Sequence, residues 1–212
     1  DSMQELLRFD QLRQVAQHID PKAVKLLMNR QVSSFIGVDH FDLLQFNWYN
    51  ARGNKKRSQI AVYLDTENLF FFCENNEAMK MIQRLIDEST ADEPLNNEQL
   101  IFHFFMQLLK NDMELLNQYE LQITDTEDQM VSGSGKNNLH RIILYRKDLL
   151  RLKRYYSQLS LVFEELSANA NRLLSDSSVR SCSILSSRAN RLYATTVDLR
   201  DYISQVLETY QS

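Results

Sequence analysis

The chain has 212 residues, of which 43% are hydrophobic, and a formal net charge of −4. This length and composition fit one large domain, or a domain with an appendage, that can bury a core of its own. Two prolines and four glycines are too few for the many turns of an all-β fold, and two cysteines far apart in sequence indicate a reducing compartment and exclude a disulfide framework.

The charges are unevenly distributed along the chain. Residues 1–135 carry 12 basic and 21 acidic side chains, whereas residues 136–212 carry 12 basic and 7 acidic ones. The overall acidity argues against a nucleic-acid partner. No segment resembles a signal peptide, and the longest apolar stretch, residues 100–109, is far shorter than the ~20 residues of a membrane-spanning helix. We therefore expect residues 1–212 to be soluble by themselves.

The first 29 residues are predicted to form two helices separated at Asp20-Pro21. Asp20 suits the N-cap of the second helix, and Pro21 suits its first position, where proline costs no hydrogen bond.

Three strands are predicted next, over residues 41–49, 58–65 and 69–73. The first is rich in aromatic residues, the second alternates apolar and polar positions, and the third follows a tight polar turn. A helix over residues 76–88 follows. Together these elements predict an α/β/α head, residues 1–95, with a mixed or antiparallel sheet. The fold class is therefore α+β.

The rest of the chain is predicted to be helical. Two long helices, residues 97–130 and 138–174, are joined by the turn at residues 132–135 and should lie antiparallel as a hairpin, residues 96–174. Opposite charges should then face each other across this hairpin, with Asp112, Glu114, Glu120, Asp125, Glu127 and Asp128 beside Arg141, Arg146, Lys147, Arg151, Lys153 and Arg154.

A third helix, residues 175–212, is predicted to form a long stalk. No glycine or proline follows Gly135, and apolar positions recur at spacings of four and three along the sequence: Leu185, Ala189, Leu192, Thr196, Leu199, Ile203, Val206 and Tyr210. Because the stripe has no C-terminal stop signal, we expect the helix to continue into a part of the protein beyond this sequence.

Catalytic chemistry has no support in the sequence. The four histidines are scattered, and no metal-binding, phosphate-binding or nucleophile motif is present. His103, Cys73 and Cys182 fit core positions better than reactive ones. We therefore expect no enzyme, no catalytic residue and no organic cofactor.

Two segments carry a family resemblance. Residues 149–166 form a leucine-rich and basic stretch, and residues 198–210 contain an Arg-Asp pair and an acidic residue two positions before a tyrosine. Together with the acidic stretch at residues 121–127 and the strand pair before it, they make the chain similar to the CorA magnesium-transporter family.

The resemblance implies the cytoplasmic domain of a homopentameric Mg²⁺ or divalent-cation channel at the inner face of the cell membrane. The membrane helices, with the family's Tyr-Gly-Met-Asn motif, would lie beyond Ser212. By position, Glu208 matches the acidic residue at the inner mouth of the pore. Asp198 and Asp201, three residues apart on the stalk, could bind a cation between subunits. The alternative interpretation of all three is a solvated helix surface.

The sequence departs from the family at the regulatory site. Members that sense cytoplasmic Mg²⁺ carry an acidic residue about 17 positions before the Arg-Asp aspartate, where this chain has Ile184. The acidic partner expected in the head falls within residues 23–27, which contain no carboxylate. These positions therefore do not support gating through that site. A second hypothesis is a soluble scaffold protein that oligomerises through the coiled coil of its last helix.

Overall fold

The computed structural model describes residues 2–30 and 35–211, which build a five-stranded mixed sheet covered by helices on both faces. The strands follow the order β1-β5-β4-β3-β2; β1 runs parallel to β5, and the other neighbours are antiparallel. Their bounds are β1 Met3–Arg8, β2 Phe35–Val38, β3 Phe41–Tyr49, β4 Arg57–Asp65 and β5 Asn68–Cys73. The predicted α/β/α head and mixed sheet are confirmed.

Both faces of the sheet are buried, which explains why its central strands are apolar almost without interruption. Alternate residues of β5 show the division: Phe70 and Phe72 enter a core on one face, while Phe71 and Cys73 enter a core on the other. The smaller core lies under the N-terminal segment. The larger one runs from the sheet through all the later helices.

The prediction of a helix at the N-terminus is wrong. Residues Met3–Arg8 form β1 and pair along their whole length with β5, and two short 3₁₀ helices, Phe9–Gln14 and Ala16–His18, follow. The second predicted helix is confirmed as α1, Pro21–Asn29. The Asp20 side chain accepts a hydrogen bond from the backbone N–H of Lys22 at 2.9 Å, as an N-cap residue should.

Five further helices follow the sheet: α2 Asn76–Ser89, α3 Asn97–Leu109, α4 Asp112–Ser132, α5 Asn138–Ala168 and α6 Asp176–Gln211. The single helix predicted over residues 97–130 is interrupted at Lys110 and Asn111. The predicted helix over residues 138–174 ends earlier, where Asn169 adopts a left-handed conformation with φ of 49°. This conformation stops a helix, and asparagine tolerates it better than most residues.

The long helices form an intramolecular bundle. The hydroxyl of Tyr156 reaches Asp112 and that of Tyr119 reaches Asp148, so α4 and α5 are antiparallel, as predicted. Helix α6 packs mainly against α5 and also contacts α3 and α4. The hydrogen bond between Ser160 and Asn190 joins α5 to α6.

The eight apolar positions predicted along the last helix, from Leu185 to Tyr210, pack inside the chain, which corrects their interpretation as a coiled-coil surface; we call these eight positions the α6 seam. All of its members from Leu185 to Val206 are buried, the apolar ones in the larger core, and Tyr210 is the exposed one. The predicted charge pairing across the hairpin is wrong as well. Among the ion pairs of the described residues, none joins α4 to α5; Asp112 pairs with Arg52 of the β3–β4 turn instead.

Candidate cation-binding face of helix α6

Helix α6 carries the three carboxylates that the sequence singles out. The hydroxyl of Ser175 accepts a hydrogen bond from the backbone N–H of Ser178 at 3.3 Å and so caps the start of the helix. Burial of the α6 seam then fixes the rotation of the helix about its axis. Asp198, Asp201 and Glu208 are all exposed in consequence, on the side away from the core.

Spacing places the three carboxylates in a row along the helix. Asp198 and Asp201 lie three residues apart, and Glu208 follows seven residues after Asp201, which is close to two full turns. The backbone positions are therefore about 4.5 Å and about 10.5 Å apart along the axis. Within residues 2–30 and 35–211, no three His, Cys, Asp or Glu side chains converge on a site that could hold a metal ion. One chain supplies a row of carboxylates and not a closed site.

An acidic neighbour on α4, Glu127, extends this region; it was predicted to face the basic side chains of α5 and instead contacts α6. The hydroxyl of Tyr202 donates a hydrogen bond to Oε1 of Glu127 at 2.8 Å and lies 3.3 Å from the hydroxyl of Thr124. Burial, then the hydrogen bond to Glu127 and its charge, raise the pKa of Tyr202. The tyrosine ties the distal part of α6 to α4.

The structure also shows where the positions that depart from the family pattern lie. Ile184 is exposed on α6, with 52% of its surface accessible, so an apolar side chain stands on the outer surface there. On α1, Ala23 and Leu27 are buried in the smaller core and face the sheet. These positions contribute apolar groups where the resemblance would have supplied carboxylates.

A second polar cluster links the head to the helices, and sequence reasoning missed it. Asp112 is buried at the start of α4, where Arg52 of the β3–β4 turn approaches it at 3.1 Å and Tyr156 of α5 donates to it at 2.8 Å. Burial raises the pKa of Asp112, while the hydrogen bond from Tyr156 and the Arg52 charge oppose that rise.

Asp148 of α5 repeats the arrangement nearby. Lys55 of the same turn pairs with it at 2.7 Å, Tyr119 of α4 donates to it at 2.9 Å, and Arg151 lies at 3.8 Å. Each buried carboxylate thus receives one cation from the turn and one tyrosine hydroxyl from the hairpin. We call Arg52, Lys55, Asp112, Asp148, Tyr119 and Tyr156 the polar clasp. One feature of the sequence pointed to the polar clasp: Asp148, directly before Leu149, is a charged residue among the regularly spaced apolar positions of α5.

Comparison with known proteins relates this chain to a protein family. A family model described as "CorA-like Mg2+ transporter protein" matches residues 7–212. The chain belongs to the CorA-like family. No curated protein matches the sequence significantly.

Solved structures of CorA-like proteins share the fold at low sequence identity. Full-length CmaX superposes with a TM-score of 0.81 at 15% identity, covering 99% of this chain and 67% of CmaX. The ZntB cytoplasmic domain from Vibrio parahaemolyticus gives 0.74 at 15% identity, covering 95% and 82% of the two chains. The complete CorA magnesium transporter from Methanocaldococcus jannaschii gives 0.74 at 12% identity, covering 97% and 67%.

The fold of this CorA-like chain is therefore that of the soluble domains in its family. The soluble domain of the Methanocaldococcus jannaschii CorA alone gives a TM-score of 0.75 at 11% identity, covering 95% of this chain and 83% of that domain. None of the helices in the described part of the chain is both long and apolar enough to cross a bilayer.

Proposed function

We propose that this chain is the cytoplasmic, cation-responsive domain of a CorA-like divalent-cation channel, with Mg²⁺ as the favoured ion. The membrane helices of the full-length protein would lie outside residues 1–212. The observation that carries the proposal is the family match over residues 7–212 on a chain that folds like CorA. The domain covers 67% of the complete CorA and of CmaX, which leaves room for a membrane part.

Glu208 is proposed to act at the inner mouth of the pore. In a homopentamer, one Glu208 from each stalk would ring the axis, and carboxylates about 5 Å apart would repel by roughly 3 kcal/mol per pair at an effective dielectric of about 20. A divalent cation offsets this repulsion. Because Mg²⁺ loses its water reluctantly, contact through its hydration shell suits it. The exposed position of Glu208 supports this role.

Asp198 and Asp201 are proposed to bind a regulatory cation between subunits. Both are exposed and share one surface of α6, so a neighbouring stalk could approach them. Bound cations would hold the stalks together, and their loss would let carboxylate repulsion separate the subunits. Ile184 and the buried face of α1 give no support to regulation through the family's usual sensing positions.

The scaffold hypothesis loses its main support. A coiled-coil scaffold needs an unpartnered apolar stripe, but the α6 seam is already buried in the larger core. The outer surface that remains on the distal half of α6 carries carboxylates, which suit cations better than a partner helix.

Flux measurements on the full-length protein test the channel function. Liposomes containing the protein and a Mg²⁺-sensitive dye should show Mg²⁺ uptake, and Glu208→Gln should slow this uptake several-fold. Asp198→Asn with Asp201→Asn should raise the internal Mg²⁺ concentration that halves the flux. Glu164→Gln, an exposed glutamate on α5, is the matched control and should leave both quantities unchanged.

The possible results separate the function from its residues. Absence of divalent-cation flux from the wild-type protein would rule out the channel. Flux that Glu208→Gln does not change, or changes no more than Glu164→Gln does, would remove Glu208 from the pore mouth. Sedimentation of the detergent-solubilised protein should give the mass of a pentamer.

A further inference from the structure

A basic groove lies outside the carboxylate row of α6, between the β3–β4 turn and helix α5. Its volume is about 560 Å³. The walls are formed by a run of cations in the turn, a cation of α5 and two flanking residues: Lys55, Lys56, Arg57, Arg151, Asn47 and Glu74. A smaller cavity of about 140 Å³ shares Asn47, Arg57 and Arg151 with the groove and adds Arg154 and Tyr155. From here on, the name basic groove stands for the larger groove and this smaller cavity together.

Positive charge in the basic groove is only partly compensated. Lys55 and Arg151 share one carboxylate, that of Asp148. Glu74 is the other nearby acid, and its Oε2 accepts the backbone N–H of Gln59 at 2.8 Å. The groove's remaining cations, Lys56, Arg57 and Arg154, form no ion pair among the described residues. The lining therefore carries a clear excess of positive charge in a chain whose net charge is negative.

A buried tyrosine also lines the smaller cavity. Tyr155 is 4% exposed, and its hydroxyl makes no hydrogen bond to any described residue. Burial, then the charge of Asp112, raise the pKa of Tyr155 well above its ordinary value, and the charge of Arg52 opposes that rise, so the hydroxyl lies toward the polar clasp and adds no donor to the groove. Gln158 lines the same cavity and has its amide oxygen fixed by the backbone N–H of Asn47 at 2.8 Å.

We propose that the basic groove binds a small multivalent phosphate anion, either an inorganic polyphosphate or the phosphate chain of a nucleotide. Guanidinium groups match phosphate oxygens in pairs, and lysine ammonium groups add point charge. Several separate cations around one groove favour an anion with more than one charged group over chloride or acetate.

This site is independent of the proposed channel, since it uses the turn and α5 and none of the carboxylates of α6. Failure of Mg²⁺ flux would leave it standing, and failure of anion binding would leave the channel standing.

Calorimetric titration of the 212-residue chain tests the site. The probes are sodium triphosphate and adenosine triphosphate, at low salt and without divalent cations, and then at higher salt, where affinity should fall. Equal affinity for the two probes assigns the site to the phosphates alone, and tighter binding of the nucleotide means that the groove also contacts the base or sugar.

Arg57→Gln with Arg154→Gln should weaken binding by about tenfold or more. The matched control, Lys80→Gln with Arg180→Gln, removes two exposed charges outside the groove and should leave affinity unchanged.

Thermal unfolding of Arg57→Gln with Arg154→Gln separates binding from folding. Neither arginine forms an ion pair among the described residues, so the melting temperature should not fall while triphosphate affinity drops.

Three results would overturn the proposal. One is the absence of triphosphate binding at low salt. Another is an equal loss of affinity in the groove variant and in the Lys80 and Arg180 control, since binding would then follow net charge alone. The third is self-association of the wild-type chain that Arg57→Gln with Arg154→Gln abolishes, because the cations would then pair with carboxylates of a second copy.

Discussion

Asp42 is a buried carboxylate that forms no ion pair with any residue that the structure describes. It lies on β3 with 2% of its surface exposed, and Nδ2 of Asn171 donates to its Oδ1 at 2.8 Å. The same amide also donates to the backbone carbonyls of Val38 and Phe41, so Asn171 fastens the α5–α6 connection to the β2–β3 turn. Burial raises the pKa of Asp42 to about 6, against the opposing effect of the hydrogen bond from Asn171.

This shift predicts a pH dependence of stability. The folded chain holds a proton on Asp42 up to about pH 6, whereas the unfolded chain releases it near pH 3.8. Folding therefore becomes less favourable as the pH rises from about 4 to 6, and the loss persists above that window. Asp42→Asn keeps the acceptor for Asn171 but cannot ionise. We expect it to raise the free energy of unfolding at pH 7.5 by about 1–3 kcal/mol.

Urea unfolding at pH 4.5 and pH 7.5 measures the effect. The difference between the two pH values should shrink in Asp42→Asn and persist in Asp39→Asn, an exposed neighbour in the β2–β3 turn. An equal pH dependence in both variants would mean that another group titrates in this window.

The Arg52–Asp112 pair of the polar clasp predicts a second stability effect. Asp112 is buried whereas the Arg52 side chain is 50% exposed, so solvent screens part of their attraction. Arg52→Gln should still lower the free energy of unfolding by about 1–2 kcal/mol, because it leaves a buried carboxylate with fewer partners. Arg84→Gln, an exposed arginine without an ion pair among the described residues, is the control.

A double-mutant cycle isolates the interaction between the two residues. Arg52→Gln should cost much less in an Asp112→Asn background, since the neutral amide no longer needs the cation. Additive effects of the two substitutions would show that the pair contributes nothing beyond packing.

At the scale of the element, α6 offers a comparison between two isoleucines of one helix. Ile203 is fully buried in the α6 seam, whereas Ile184 has 52% of its surface exposed. Ile203→Ala should lower the free energy of unfolding by about 2–4 kcal/mol, and Ile184→Ala should change it by less than about 0.5 kcal/mol. Chemical denaturation of the 212-residue chain measures both. Similar small costs would show that the seam is not packed within the chain.

Element prediction succeeded where local signals were sufficient and failed where a distant partner decides. Strand β3 follows from its aromatic content, β4 from alternation and β5 from the short turn before it, and α1 follows from its Asp20-Pro21 start. Strand β1 could not be predicted, because Met3–Arg8 is extended only through its pairing with β5, about 65 residues away. The four residues of β2 are likewise too few to carry a pattern.

At the scale of the whole molecule, one core joins the head to the helices. Cys73 of β5 and Cys182 of α6 are both buried in the larger core, and burial raises the pKa of each thiol to about 11. Neither thiol should react with a disulfide reagent in the native protein at pH 8, since the thiolate is the reactive form. Reaction should begin only when the core opens.

Labelling of single-cysteine variants measures how the regions unfold. Cys73→Ala and Cys182→Ala each leave one reporter, and both thiols should become reactive over the same range of urea concentration because they share a core. Earlier labelling of Cys182 would mean that the helices unfold separately from the sheet. That result would favour the sequence-based division into residues 1–95, 96–174 and 175–212, which stays a prediction.

The candidate sites differ in how far sequence could reveal them. The carboxylates of α6 lie on a continuous helix, so spacing and the family resemblance were enough to propose that they share a surface. The polar clasp and the basic groove combine the β3–β4 turn with α4 and α5, about 60 to 100 residues further along the chain. Nothing local in the sequence of Arg52, Lys55 or Arg57 indicates these partners.

Because the α6 seam is buried, it sets the angular phase of every outward side chain on the helix. Each residue advances an α-helix by about 100°, so one alanine inserted between Leu199 and Ile203 would rotate the rest of a regular helix by more than a quarter turn. Ile203 and Val206 would then leave the core and Glu208 would leave its original direction together, unless a local bulge absorbed the extra residue. The packing of the apolar side of α6 thus determines the direction in which its acidic side chains point.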